Sequence, residues 1–232
     1  MLSEAINYLK ESDDVWKTTI LGGVFLLFSF LLIPLFFVWG YVVRVLDRTA
    51  NGNDEPPVFD DWSELTVDGA KASVILLAYA LIPIVVGIVL VAAVAGVTGG
   101  EPGSAGAAAL VLAGLVTLAV AVGAAYVVPA GLANFASERR IRAGFHLETL
   151  RPVLSSGRYA AGWLLAVGIV VVGSFVSGIL SPIPFLGPVL GAIVGFYALV
   201  AAYYVVGHTW DDCRSIVVDE GDPEPSGERP AI

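Results

Sequence analysis

The sequence predicts an all-α polytopic membrane protein: a transmembrane helix bundle of about five spans with two interfacial helices. Three observations predict it. Of the 232 residues, 57% are hydrophobic and only 14% are charged, where soluble domains carry about a quarter charged. The few charges cluster between apolar runs instead of marking one face of every helix, as they would in a soluble core protein. The apolar runs reach the roughly 20 residues needed to cross the hydrocarbon layer.

The segment 1–18, beginning MLSEAINYLKESDDVW, is amphipathic and net acidic. It lacks a cationic start and a small-residue cleavage site, so no cleaved signal peptide is expected and the first span serves as an uncleaved anchor. The transmembrane domain is expected over 19–210. Span one covers Thr19 to Val43, span two Ala72 to Val97 and span three Ala105 to Gly131. Span four covers Tyr159 to Leu180 and span five Ile183 to Gly207. None carries an ionisable residue well inside it, where each charge would cost roughly 2.5–3.5 kcal/mol. Pro34, Pro83 and Pro129 remove backbone donors and imply kinks that neighbouring helices can accommodate. Span one has an alternative reading, a re-entrant hairpin turning at Ile33-Pro34.

The connector PPVFDDW, Pro56 to Trp62, follows turn residues Asn51 to Asp54. Asp61 and Glu64 have the spacing of a capping box, with Asp61 as N-cap. Phe59 and Trp62 suit the headgroup level. The stretch therefore reads as an interfacial helix lying on the bilayer before span two. The second connector pairs an apolar side (Phe145, Leu147, Leu150, Leu154) with basic Arg139, Arg140, Arg142 and Arg151. It reads as a second interfacial helix at an anionic leaflet, to which each arginine adds about 1 kcal/mol. Residues 211–232 are expected to form a disordered acidic cytoplasmic tail, rich in Pro, Gly and Ser from Val218 onward.

Ten of the twelve bases fall on one side if there are five spans; only Lys10 and Lys17 fall on the other. The positive-inside rule then places the chain in the cell membrane with its N-terminus outside and its C-terminus cytoplasmic. A weak parallel repeat, 19–97 and 105–180 plus the span 183–207, is suggested by Pro34 and Pro129, each followed ten residues later by an arginine, Arg44 and Arg139.

Acids outnumber bases 21 to 12, with three lysines. This fits a halophile and argues against nucleic acid, which needs a basic stripe. The single cysteine, Cys213, excludes an internal disulfide.

The run GYVVRVLDR followed by PPVFDDW and DGAK resembles the prokaryotic membrane family catalogued as domain of unknown function 4013. The carrying residues are Gly40, Tyr41 and Arg44, then Pro57, Phe59, Asp61 and Trp62. The resemblance is specific over 20 to 85 and looser through about Gly207. It implies a multi-pass membrane protein and no established activity.

Candidate sites follow. Gly187, Gly191 and Gly195 form GxxxGxxxG on span five, which lets helix backbones approach closely. The partner is another span of this chain or another protomer. Gly106 and Gly114 give span three a face that could receive span five. His208, Asp211, Asp212 and Cys213 crowd one helix turn and cannot all converge on a metal, so a His208–Asp212 pair with Trp210 as an interface anchor explains them better. Asp54, Glu55, Asp60, Asp61 and Glu64 lack the spacing of a calcium loop and read as a solvated loop. Arg44, Arg48 and Tyr41 could clasp a lipid phosphate, or simply snorkel.

There is no nucleophile–base set, phosphate loop or His-Glu-x-x-His. No enzyme activity, cofactor or metal is expected. The expected function is a scaffold or accessory subunit acting through helix packing and the connectors. The alternative is a small carrier or permease component for apolar, lipid-like or uncharged cargo. Expected partners are membrane lipids and a membrane protein or a second copy.

Overall fold

A computed structural model of the chain describes residues 1–11, 14–100 and 103–221, the last with side chains to Arg214. The described residues form helices and no strand. In order these are α1 (Leu2–Asn7), a 3-10 turn (Tyr8–Glu11), α2 (Val15–Leu27), α3 (Leu32–Thr49), α4 (Trp62–Thr98) and α5 (Ser104–Glu138). A second 3-10 turn (Ile141–Phe145), α6 (Leu147–Leu154), α7 (Gly157–Leu180) and α8 (Leu186–Gly221) complete the chain.

Four of these helices are long and apolar enough to cross a membrane: α4, α5, α7 and α8, the last over Leu186–Arg214. The expectation of about five spans is corrected at span one, which is two helices. Pro34 has no N–H, and in a continuous helix its ring would meet the carbonyl of Phe30. The helix accordingly ends at Leu27 and restarts at Leu32, with Pro34 in the new first turn where no donor is needed. At 13 residues α2 is only about 20 Å long, short of the hydrocarbon thickness. The chain folds back at 28–31, bringing Phe25 within 5.0 Å of Phe37. This matches the hairpin alternative, with its turn a few residues earlier than Ile33-Pro34. The tip is apolar and exposed at Phe30, Leu31, Leu32 and Ile33.

The four long helices form two antiparallel pairs, α4 with α5 and α7 with α8. Gly99, in the left-handed conformation, caps α4, and α8 begins after the turn 181–185. The buried core sits away from these turns. It joins Val42 and Leu46 of α3, Ala72 and Ile75 of α4, Leu132 and Phe135 of α5, and Val206 and Trp210 of α8. A second cluster adds Tyr8, Tyr41, Leu65, Phe196 and Tyr204.

Segment 1–11 does not stand alone. Ala5, Tyr8 and Leu9 are buried, the Tyr197 hydroxyl donates to the Ile6 carbonyl, and Met1 lines a hollow with Arg158 and Asp212. The start of the chain and the last described side chains of α8 thus lie at one end of the bundle. α8 continues through Asp211 to Gly221, so the first part of the expected tail is helical. Residues 222–232 lie outside the described residues.

Candidate functional site: a charged clasp at the base of the bundle

The clasp is built on the crossing of α3 and α4. Gly40 faces the Leu65 carbonyl and Gly69 faces the Phe36 carbonyl so closely that a Cβ on either would overlap backbone. Only glycine permits this approach. It brings the last turns of α3 against the first turns of α4 and folds the connector 50–61 back over both.

The PPVFDDW stretch closes that fold. Pro56 and Pro57 are buried. The Tyr41 hydroxyl donates to the Pro57 carbonyl at 2.9 Å. Phe59 stacks on Tyr41 at 4.6 Å and reaches Phe25, Trp62 and Phe196 at 5.6–6.1 Å. Aromatic groups in such offset and edge contacts gain beyond their buried area. Half of the expected capping box is present: the Asp61 carboxylate accepts from the Glu64 N–H at 3.2 Å, while the Glu64 carboxylate turns to Arg44 and Arg139. Asp61 itself takes a left-handed φ of 42°, which aspartate tolerates better than most residues.

No separate interfacial helix follows. Trp62 opens α4 directly, and the first expected interfacial helix is the base of that continuous helix. The second connector exists as the 3-10 turn and α6, but it docks inward. Leu150 and Val153 are buried, Tyr126 donates to the Leu154 carbonyl at 2.8 Å, and of the expected apolar side Phe145 and Leu147 remain exposed.

Two arginines hold the clasp. Arg44, only 12% exposed, pairs with Asp60 and Glu64 and donates to the Val58 carbonyl at 3.2 Å. Arg139, which caps α5 in the left-handed conformation, bridges α3 and α4. It pairs with Asp47 at 2.7 Å, with Asp68, and with Glu64 at 3.6 Å. Burial works against its charge. The Asp47 hydrogen bond and the charges of Asp47, Asp68 and Glu64 outweigh that and raise its pKa above the ordinary arginine value. Arg44 and Arg139 thus converge on Glu64. Arg48 donates to the carbonyls of Glu55 and Pro56 at 3.1 and 3.5 Å. Arg44, Arg48 and Tyr41 are engaged by this chain's own groups, which corrects the lipid-phosphate reading for them.

The acids of the connector are likewise used. Asp54 accepts from the Tyr204 hydroxyl at 3.3 Å and pairs with His208 Nε2 at 3.0 Å. The expected His208–Asp212 pair is therefore corrected to His208–Asp54, because the connector folds onto α8. Trp210 is 1% exposed and belongs to the core, not to the interface. Cys213 is buried with its sulfur 3.6 Å from the Ser156 hydroxyl. Beside this cluster the Tyr8 ring lies 4.4 Å from Tyr204, and burial raises the Tyr8 phenol pKa. No group of His, Cys, Asp and Glu among the described residues could hold a metal ion.

The glycines of α8 pack within the chain. Gly187 abuts the Leu180 carbonyl, Gly191 lies against Ser177 and Gly195 against Leu26 of α2. The Ser177 hydroxyl donates to the Gly191 carbonyl at 2.9 Å. The other expected glycine face divides: Gly106 is buried, whereas a Cβ on Gly114 meets nothing within 4 Å.

Sequence reasoning missed Asp47 and Asp68. Each sits in a motif run, RVLDR and DGAK, but only the α3–α4 crossing brings them to Arg139. For Asp68 the signal was an acid one turn before an uncharged run of helix; Asp47, in the last turn of α3, offered none. No curated protein and no solved structure matches the chain. A family described as "Protein of unknown function (DUF4013)" matches residues 26–181, which spans the clasp and the α4, α5 and α7 helices. The chain is therefore a member of the DUF4013 family.

Proposed function

We propose that this protein is a non-enzymatic membrane scaffold or accessory subunit whose α4–α5 hairpin packs beside the spans of a partner. One observation carries the reading. Within the apolar windows only 11% of residues are buried by the rest of the chain in α4, α5 and α7, against 44% in α8, so α4–α5 is the pair bare on both members. A hairpin held firmly at its base and bare along its length offers a long surface for lateral packing. The charged groups at the base are paired with one another, which supports a holding role over a chemical one.

In the proposed orientation the base faces the cytoplasm. Arg44, Arg48, Lys71 and the arginines of the second connector gather there, and Met1 lies beside Arg158. The positive-inside rule favours that side for them.

A second reading has an observation of its own. An apolar hollow of about 480 Å³ runs between α7 and α8 beside Leu2 and Ile6, floored by Gly168, Gly173 and Ala198. It supports a carrier of apolar or lipid-like cargo.

The test is cross-linking and mass spectrometry on gently purified protein from native membranes. A stoichiometric partner cross-linked near α4 and α5 is the expected result. Protein recovered alone, with lipid transfer activity in liposomes, would replace the scaffold with the carrier.

A further inference from the structure

The second connector leaves Arg140, Arg142 and Arg151 without an acidic partner, and the first two lie together. Among the described residues Arg44, Arg48 and Arg139 all have acidic partners, whereas Arg140 and Arg142 have none. Both are exposed and line one open hollow of about 1000 Å³ with Lys71, Glu138, His146 and Thr149. Three bases face one carboxylate, Glu138. Lys71 is shared with Asp68 at 3.3 Å, and the His146 ring contacts Thr149 Oγ1 at 2.8 Å.

The backbone beneath these arginines is fixed. Asn134 donates to the Ala143 carbonyl and Tyr79 to the Gly144 carbonyl, each at 2.8 Å. Ala143 and Gly144 are buried, and Gly144 packs on Ile75. The two guanidinium groups therefore project from a turn that need not order itself on binding, which lowers the cost of holding a ligand.

The height of the hollow is also set by the sequence. Lys71 is the last charge on α4 before 27 uncharged residues, Ala72 to Thr98. Glu138 is the first charge on α5 after its own uncharged run from Ser104. Both helices thus meet the hollow where hydrocarbon gives way to headgroups. Phe145, stacked on Tyr79 at 5.3 Å and partly exposed, adds an apolar edge.

We propose that this hollow binds a phosphate group at the membrane boundary, held by Arg140 and Arg142 with Lys71 behind them. Planar guanidinium groups suit phosphate oxygens in paired hydrogen bonds. The position points to the headgroup of an anionic phospholipid, and free phosphate is the other source of the same chemistry.

The experiment uses the full-length protein in detergent at low salt, read by native mass spectrometry with added phosphatidylglycerol or phosphatidylcholine. Phosphatidylglycerol is expected to remain bound in preference. The Arg140→Gln/Arg142→Gln variant is expected to bind it about thirtyfold more weakly, because two basic groups beside the headgroup are removed. The control Arg151→Gln/Arg158→Gln removes the same charge outside the hollow and should keep the preference. Unfolding midpoints without lipid check that both variants are folded. Displacement by excess inorganic phosphate would support the site with a soluble source; resistance to it would support the lipid. Equal binding of the two lipids, or an equal loss in both double variants, would overturn the proposal.

Discussion

The two antiparallel pairs of long helices are built differently. In α7–α8, glycine sits at the contacts: Gly162 against Thr209, Gly173 against Ala198 and Gly187 against the Leu180 carbonyl, each too close for a Cβ. In α4–α5 the glycines lie elsewhere. Gly87 approaches Thr117 less tightly, at 3.2 Å from a built Cβ, and Gly96, Gly114 and Gly123 face open space. The first pair is closed by small residues at these points, with the apolar hollow left between them. The second is tied at its base, where Arg139 joins α5 to Asp68 of α4 and Asp47 of α3. Glycine in a span therefore marks a helix–helix contact at several positions of the first pair and open space at most positions of the second, with Gly168 and Gly178 of α7 also in open space, and the spacing alone does not distinguish them.

The largest expected effect tests that contrast. Gly173→Leu places a side chain where Ala198 already lies and should cost about 3 kcal/mol, the upper part of the range for overpacking. Gly114→Leu points into open space and should change stability by less than about 0.5 kcal/mol. Unfolding midpoints in detergent measure both. Equal losses would mean that α5 is packed against something at Gly114 and would break the comparison.

Next comes the tie at the base. Asp68 is 4% exposed and neutralises Arg139 and Lys71. Removing one member of a buried pair costs about 3–5 kcal/mol, and partial exposure of Arg139 lowers that to about 2 kcal/mol for Asp68→Asn. The loss should appear as loosened α4–α5 packing, read by faster proteolysis or amide exchange there, with α7–α8 unchanged. Uniform loosening of both pairs would show that the tie serves the whole bundle.

The parts of this architecture legible in the sequence were local ones. Apolar run length gave α4, α5, α7 and α8, and the Asp61–Glu64 spacing gave the start of α4. The motif residues Gly40, Tyr41, Arg44, Pro57, Phe59, Asp61 and Trp62 do meet, as a clasp. Their purpose was misjudged because a connector between spans can lie on lipid or fold onto its own helices with the same composition. The choice depends on the Gly40–Leu65 and Gly69–Phe36 crossing, a contact between positions about 25–33 residues apart that no periodicity reports. Span one breaks before Pro34, a signal that was visible but ambiguous, since α4 and α5 run on through Pro83 and Pro129. His208 found Asp54 instead of Asp212 because the connector's fold was unknown.

A smaller effect separates hydrogen bonding from close packing in α7–α8. Ser177 donates to the Gly191 carbonyl across the pair and to its own Gly173 carbonyl, both at 2.9 Å. Hydrogen bonds between membrane helices average about 0.6 kcal/mol. Ser177→Ala should lower stability by about that amount, well below Gly173→Leu. A loss as large as that of the glycine variant would mean that the hydroxyl, not backbone proximity, closes the pair.

The last expected effect, which differs in sign between two positions, lies inside the GxxxGxxxG run. Its three glycines are equivalent in sequence but not in surroundings. A Cβ at Gly191 would sit 3.5 Å from Ser177, an ordinary contact, whereas one at Gly187 would strike the Leu180 carbonyl. Gly191→Ala should therefore be neutral or stabilising by up to about 1 kcal/mol, since alanine is the better helix former. Gly187→Ala should be destabilising under the same unfolding measurement. If both alanine variants lose stability equally, the three glycines act as one packed seam and the position-by-position reading of α8 fails. If Gly191→Ala raises the midpoint while Gly187→Ala lowers it, the tight approach is confined to the turn end of the run. Ser177 and Leu26, with room to adjust, then set the rest.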